Sequence, residues 1–351
     1  MRIALVGFPY CGKTTLFSAI SGLGRDHLRP GEETLAAVKV PDPRLDFLEA
    51  LYHPKKRTEA TIEFVDLPAG GDAEERAGME KHLPALRQAD ALLIVLRGFA
   101  SDAVPLHRGR LDPRDDLNQI RQEMLLADLV ICSNRVERLE GAIKKPTRER
   151  DQLKAELDLL LACRAALENE KPLSTVLQRP EDEKMVRSFG FLTQKPSVVV
   201  VNVGEADAGR PPPFSDDHAQ TFAACATVEA DIMQLEPAER PAFLAEYGIA
   251  EPVRDRIIRA CYAALGMISF LTCGEDEVRA WPIPRGATAV EAAGKIHTDL
   301  ARGFIRAETV AFADLKAAGT MRDAKAANKV RQEPKTYVVQ DGDIMNIKHS
   351  G

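Results

Sequence analysis

Gly7-Phe8-Pro9-Tyr10-Cys11-Gly12-Lys13-Thr14 sets two glycines, a lysine and a hydroxyl at G-x-x-x-x-G-K-[ST] spacing. A loop of this kind can turn its backbone N–H groups inward around phosphate oxygens, and the start of a following helix adds partial positive charge. Lys13 is then placed to reach the terminal phosphates as a catalytic point charge, and the Thr14 hydroxyl to ligate Mg²⁺. The same residues would also suit a plain glycine turn with a solvated lysine. The flanking sequence argues against that reading. Arg2-Ile3-Ala4-Leu5-Val6 leads in as an apolar strand, and Thr15, Leu16, Phe17, Ala19 and Ile20 leave with helical spacing. Strand, loop and helix in that order predict a cradle for a nucleoside triphosphate.

A second cluster concerns the base. Chains with this loop that select guanine commonly read it with N-K-x-D after a buried strand. Here the run Val198 to Val201 enters Asn202-Val203-Gly204-Glu205. Asparagine is kept, valine replaces lysine, and glutamate replaces aspartate with one more methylene. A site stripped of a positioned hydrogen-bond set loses discrimination by orders of magnitude, so a preference for guanine is not expected. The alternative is that N-x-x-E only caps a strand end. Cys11, inside the phosphate loop, is either an oxidation-sensitive thiol or a small residue filling a small slot.

These residues need a scaffold, and apolar runs recur with helical patterns between them: Ile3 to Val6, Ala37 to Val40, Thr61 to Val65, Ala91 to Leu96, Val198 to Val203 and Thr221 to Ala226. Near-continuous apolar strands predict a parallel sheet covered on both faces, a doubly wound α/β domain. The alternation breaks between about 118 and 190. Leu125, Leu129, Cys132, Val136, Leu139 and Ile143 form a coiled-coil seam, and Leu153, Leu157, Leu160 and Leu167 form a second after Pro146. An inserted antiparallel helical hairpin is expected, each arm roughly 30 Å long at 1.5 Å per residue. Its charged faces, including Arg135 and Glu137, read as solvated surface. Beyond Leu265, strands at Ile268 to Cys273, Val278 to Ile283, Glu308 to Phe312, Thr336 to Gln340 and Ile344 to Lys348, with a helix at Ala289 to His297, predict a separate α+β domain. The expected division is 1–117 with 191–266, then 118–190, then 267–351.

The chain has 351 residues, 45% hydrophobic and 28% charged, as expected of a globular protein of two or three domains. No apolar run is long enough to span a bilayer and no signal peptide is apparent, so a cytoplasmic chain without a membrane partner is expected. The six cysteines form no C-x-x-C pair, so neither zinc nor disulfides are expected. Net charge is −6, which excludes a uniformly basic nucleic-acid coat. Residues 279–351 nevertheless hold twelve Lys/Arg against eight Asp/Glu, a pattern that suits either one localised anionic contact or plain solvated surface.

The chain resembles the Obg-like ATPases, or YchF family. The resemblance rests on Gly7 to Phe17, Asn202 to Glu205, Pro41-Asp42-Pro43-Arg44-Leu45, Glu63-Phe64-Val65-Asp66 and Leu125-Leu126-Ala127-Asp128-Leu129. It is densest in Glu277-Val278-Arg279-Ala280-Trp281, Gly303-Phe304-Ile305-Arg306-Ala307-Glu308 and Val339-Gln340-Asp341-Gly342-Asp343. It implies a nucleotide domain, a helical insert and a ubiquitin-like, β-grasp TGS domain. It also implies a protein that prefers ATP to GTP, needs Mg²⁺, hydrolyses slowly and contacts the ribosome or its RNA; a monomer is expected. On this likeness Gly7 and Tyr10 to Thr15 hold phosphate. Thr14 and Thr34 ligate the metal, with Asp66 doing so through water, and Cys225 lies near the base. The second switch departs from the pattern: Asp66-Leu67-Pro68-Ala69-Gly70 has alanine at the usual glycine, so Gly70 is the substitute. A family histidine near the nucleotide aligns with Leu106. Its neighbour His107 is either the catalytic replacement or a surface side chain. With altered switches, a nucleotide-dependent binding module with little turnover and a GTPase remain as alternatives.

Overall fold

In a computed structural model, residues 1–24, 32–67, 79–144 and 149–350 are described. They fall into two units by contact, Met1–Ala36 with Phe64–Arg254, and Ala37–Glu63 with Asp255–Gly351.

The first unit carries β1 (Arg2–Val6), α1 (Lys13–Ser21), the start of β2 (Thr34–Lys39), most of the apolar end of β4 (Thr61–Asp66), α3 (Leu83–Gln88) and β5 (Ala91–Gly98). The long helices α4 (Pro113–Ile143) and α5 (Arg150–Glu168), then α6 (Pro180–Val186), β6 (Ser197–Val203), β7 (Gln220–Ala224), α7 (Ala226–Gln234) and α8 (Arg240–Glu246) complete it. The sheet order is β2-β4-β1-β5-β6-β7. β5 runs parallel to β1, with Ile3 opposite Ala91, and to β6, with Arg97 opposite Asn202; β7 runs parallel to β6. Adjacent buried strands of Val, Ile and Leu need cover on both faces, and helices supply it. The turn from β7 comes earlier than the apolar run suggests, because Ala226 already opens α7.

The hairpin forms as its seams predict. Cys132, Val136 and Leu139 of α4 bury against Leu160, Cys163 and Leu167 of α5. Arg135, expected to be solvated, instead makes a two-pronged pair with Glu156 across the arms, both bonds 2.8 Å. Yet α4 is more than an insert. Asp112 caps it by accepting from the Asp115 N–H, Pro113 occupies its first turn, and Leu117, Ile120 and Met124 bury in the core beneath the sheet. The helix therefore begins as cover for the sheet and continues as the hairpin, and the hairpin falls within the first unit rather than apart from it.

The second unit contains α2 (Pro43–Tyr52), β3 (Lys56–Thr58), the body of α9 (Val253–Ala264), β8 (Met267–Thr272), β9 (Glu277–Pro284), α10 (Ala289–Ile296) and α11 (Thr298–Arg302). It ends with β10 (Phe304–Ala311), α12 (Phe312–Ala318), α13 (Met321–Ala326), β11 (Arg331–Glu333) and β12 (Asp343–His349). Its sheet is mixed, in the order β11-β10-β12-β8-β9-β3. A capping box between Thr288 and Glu291 starts α10, which lays Ala289, Ala292 and Ala293 on Phe270, Trp281 and Phe304.

Two expectations fail here. Thr336 to Gln340 is not a strand. Its single bridge, between Thr288 and Val338, is made by the Ala289 N–H donating to Tyr337 O and the Val339 N–H donating to Ala287 O, while the Tyr337 N–H turns back to Pro334 O and Gln340 O accepts from the Asp343 N–H. Residues 37–63 and 255–266 also depart from the expected division. Leu45 and Leu48 bury with Leu271, Val278, Val310 and Leu315, and β3 pairs with β9. Arg44 ties its helix cap Asp42 to Asp341, at 2.8 and 2.9 Å.

Candidate functional site: the phosphate loop and its neighbours

The loop leaves β1 at Gly7, where a Cβ would lie 2.2 Å from Val95 O of β5, so only glycine passes. Tyr10 and Gly12 take left-handed φ of 60° and 94°, which turns successive N–H groups to one side. Gly12 is the N-cap of α1 and offers no side chain to cap it. The first-turn N–H groups, which have no partner within the helix, therefore face an anion site. Lys13 folds back across the loop, its Nζ donating to Gly7 O at 2.8 Å and Phe8 O at 3.1 Å. Thr14 is exposed at the helix start, and Thr15 follows half-buried. Cys11 is buried with its thiol pushed up by desolvation, which makes it filler rather than a reactive group.

Asp66, at the end of β4, is buried, and its Oδ1 has no hydrogen-bond partner. Burial raises its carboxyl above the ordinary range, against the opposing pull of a Thr14 hydrogen bond and the Lys13 charge. A buried carboxylate oxygen left open beside a threonine hydroxyl suits a hard cation with oxygen ligands, directly or through water. Thr34 opens the edge strand β2 and is half-buried. Gly70 and the rest of 68–78 lie outside the described residues.

Asn202 is the penultimate residue of β6, 5% exposed. Its Nδ2 donates to Cys11 O and its Oδ1 accepts from the Ala226 N–H, both at 3.0 Å. One amide thus fastens the phosphate loop to the β7–α7 turn, and it leaves no room for a Cβ at Gly12. Glu205 stands exposed in a short 3₁₀ turn beyond it. Cys225 holds the N-cap position of α7, buried and without a capping bond, its Sγ 3.1 Å from Thr227 Oγ1.

His107 is not a surface side chain. Its ring stacks on Phe8 of the phosphate loop, centroids 3.9 Å apart and planes within 10°. Leu106, the aligned position, is exposed instead. Two contributors were not singled out by sequence reasoning. Phe8 gave only a loop position between Gly7 and Pro9. Arg97 lies within an apolar strand, where a charge at a buried period was the available signal. It is 3% exposed and donates through Nε to Phe99 O at 3.1 Å, and through Nη2 to Val104 O at 3.2 Å. Nη1 donates to Pro105 O at 2.5 Å.

A glycine-cornered loop between a buried parallel strand and an uncapped helix, with a lysine folded across it, defines a P-loop nucleotide-binding domain. Comparison with known proteins narrows the class. The family model described as a 50S ribosome-binding GTPase matches residues 2–135, and the YchF-GTPase C-terminal model, described as a protein of unknown function, matches 267–350. The "Ribosome-binding ATPase YchF" of Bacillus subtilis is 38% identical over 365 residues, covering 99% of both chains. Its Escherichia coli O157:H7 counterpart is 38% identical over 361 residues, covering 99% of this chain and 98% of the relative. "Obg-like ATPase 1" of Oryza sativa subsp. japonica is 36% identical, covering 99% and 92%. The solved YchF GTPase of Schizosaccharomyces pombe superposes with a TM-score of 0.84 at 28% identity, covering 99% and 97%. The chain belongs to the YchF family.

Proposed function

We propose that this protein is a slow, Mg²⁺-dependent ATPase of the cytoplasm that contacts the ribosome as a monomer and uses the nucleotide as a switch. The observation that carries the reading is the pairing of the uncapped loop, crossed by Lys13, with the open Oδ1 of Asp66 beside Thr14. Triphosphate oxygens would take the loop N–H groups and the lysine from its two carbonyl partners. Thr14 and Asp66, with Thr34 if β2 shifts toward the site, are the residues that would hold Mg²⁺, which when bound neutralises charge on the transferring phosphoryl group. Lys13 stabilises the same developing charge, and His107 orients the attacking water from its seat on Phe8. Ribosome contact is supported by the printed names of the relatives and by the basic excess of residues 279–351.

ATP rather than GTP is supported by Val203 and Glu205. Nothing at Val203 can stack a cationic stem along the base, and Glu205 is exposed. Asn202 acts as the clamp and Cys225 as a wall of the base pocket. Single-turnover assays test the reading: Mg²⁺-dependent ADP formation from ATP, faster than from GTP and abolished by Lys13→Ala, supports it. ATP held intact for hours would leave a binding module. Nucleotide-independent pelleting with ribosomal subunits would remove the switch.

A further inference from the structure

The segment between β5 and α4 carries His107 to the phosphate loop, yet little of it is anchored by side chains. Residues 102, 103, 105 and 106 are exposed, and 101 and 104 only half-buried. Arg97 supplies the anchor. Its guanidinium binds carbonyls at both ends of the stretch, Phe99 O at one and Val104 O and Pro105 O at the other, and lies 4.9 Å from the Phe99 ring centroid. Two residues beyond Pro105 the chain turns tightly, with Arg108 at a left-handed φ of 51° and the Gly109 N–H donating to Leu106 O. His107 enters that turn and meets Phe8.

Among the described residues no carboxylate pairs with Arg97, so its charge is balanced by carbonyl dipoles and one aromatic face. Holding a charge at 3% exposure on those terms is costly, and an apolar side chain would fill the slot more cheaply. What an apolar residue cannot do is hold two ends of a loop at a fixed spacing. The rigid fork of arginine can, and a lysine, with one donor centre, reaches only one end. Arg97 also shares a rung of the sheet with Asn202. Neighbouring strands thus each end in a buried polar side chain that ties down a loop of the nucleotide site.

We infer that Arg97 is a positioning residue: it sets the loop that seats His107 on Phe8, and so acts on hydrolysis through His107 rather than on nucleotide affinity. This rests on the reading of the site as an ATPase. The test uses the full chain with Arg97→Lys, His107→Gln and the double substitution. The His107 ring proton, assigned by its loss in His107→Gln, is expected to be displaced by the Phe8 ring current in the parent and to return toward the position of a free histidine in Arg97→Lys. Affinity for a non-hydrolysable ATP analogue should stay within about threefold, while single-turnover hydrolysis falls about a hundredfold, the scale of one positioned acid–base group. The double variant should be no slower than either single one. An unmoved His107 resonance in folded Arg97→Lys, or additive losses, overturns the inference. Should Arg97→Lys not fold, the parent decides: the Arg97 Nε–H should exchange slowly with solvent, and rapid exchange refutes the anchor. A parent that hydrolyses nothing would defeat the ATPase reading, while the ring-proton shift would still decide the positioning.

Discussion

Asp66 shows how a single side chain can trade stability for binding. Its unfolded carboxyl titrates near 3.8, and burial raises the folded value. The folded state therefore binds the proton more tightly, and stability held at low pH is lost as pH rises from 3.8 through the raised value. Asp66→Asn should melt higher than the parent at pH 7, with the gain shrinking toward pH 4, and should no longer show Mg²⁺-dependent nucleotide binding. Equal melting at both pH values would mean that the carboxylate is not strained. Asn202 works in the opposite sense, since both its bonds hold loops together. Asn202→Ala should destabilise by about 1–3 kcal/mol, the scale of buried partners left unpaired, and weaken ATP about tenfold or more by calorimetry. Of these residues, the glycines, Lys13 and Thr14 were legible because their backbone demands recur as spacing. The clamp of Asn202 and the stack of His107 were not, because both depend on residues about 190 and 100 positions away along the chain.

At the scale of elements, periodicity carried far where burial is one-sided or complete. The seam through Cys132, Val136 and Leu139 predicted its partner in Leu160 and Leu167, and the structure packs them so. Leu160→Ala should cost about 2–5 kcal/mol by urea unfolding, as in other fully buried leucines, and should not change ATP affinity if the hairpin only projects from the fold. Loss of affinity would mean that α4 transmits strain to the sheet it covers. The short strands were missed. Lys56-Arg57-Thr58 and Arg331-Gln332-Glu333 are edge strands made of polar residues, with no apolar alternation to read. Thr336 to Gln340 misled for the converse reason. It has strand-like composition, but with a proline at 334 and a turn at 341–342 it spends its backbone on a loop.

Over the whole molecule, the boundary that composition suggests at 266 is not where the cores divide. The chain passes between the two units within β2, within β4 and at the start of α9. A fragment of residues 1–266 would keep α2 but lose Leu271, Val278 and Leu315, against which Leu45 and Leu48 pack. Such a fragment should bind a hydrophobic dye and aggregate, whereas Leu45→Ser together with Leu48→Ser in the fragment should relieve both effects. A soluble, dye-silent fragment would show that α2 finds other cover. The interleaving has a temporal side. About 190 residues separate the early piece of the second unit from the remainder. At synthesis speeds of roughly 5–20 residues per second, on the order of 10–40 s pass before that remainder even begins to be made, and the nascent α2 waits longer still for the last of its strands. During that interval the emerging polypeptide shows a greasy stripe to every chaperone within reach, a vulnerability that belongs to its order of manufacture and vanishes once the last strand is made.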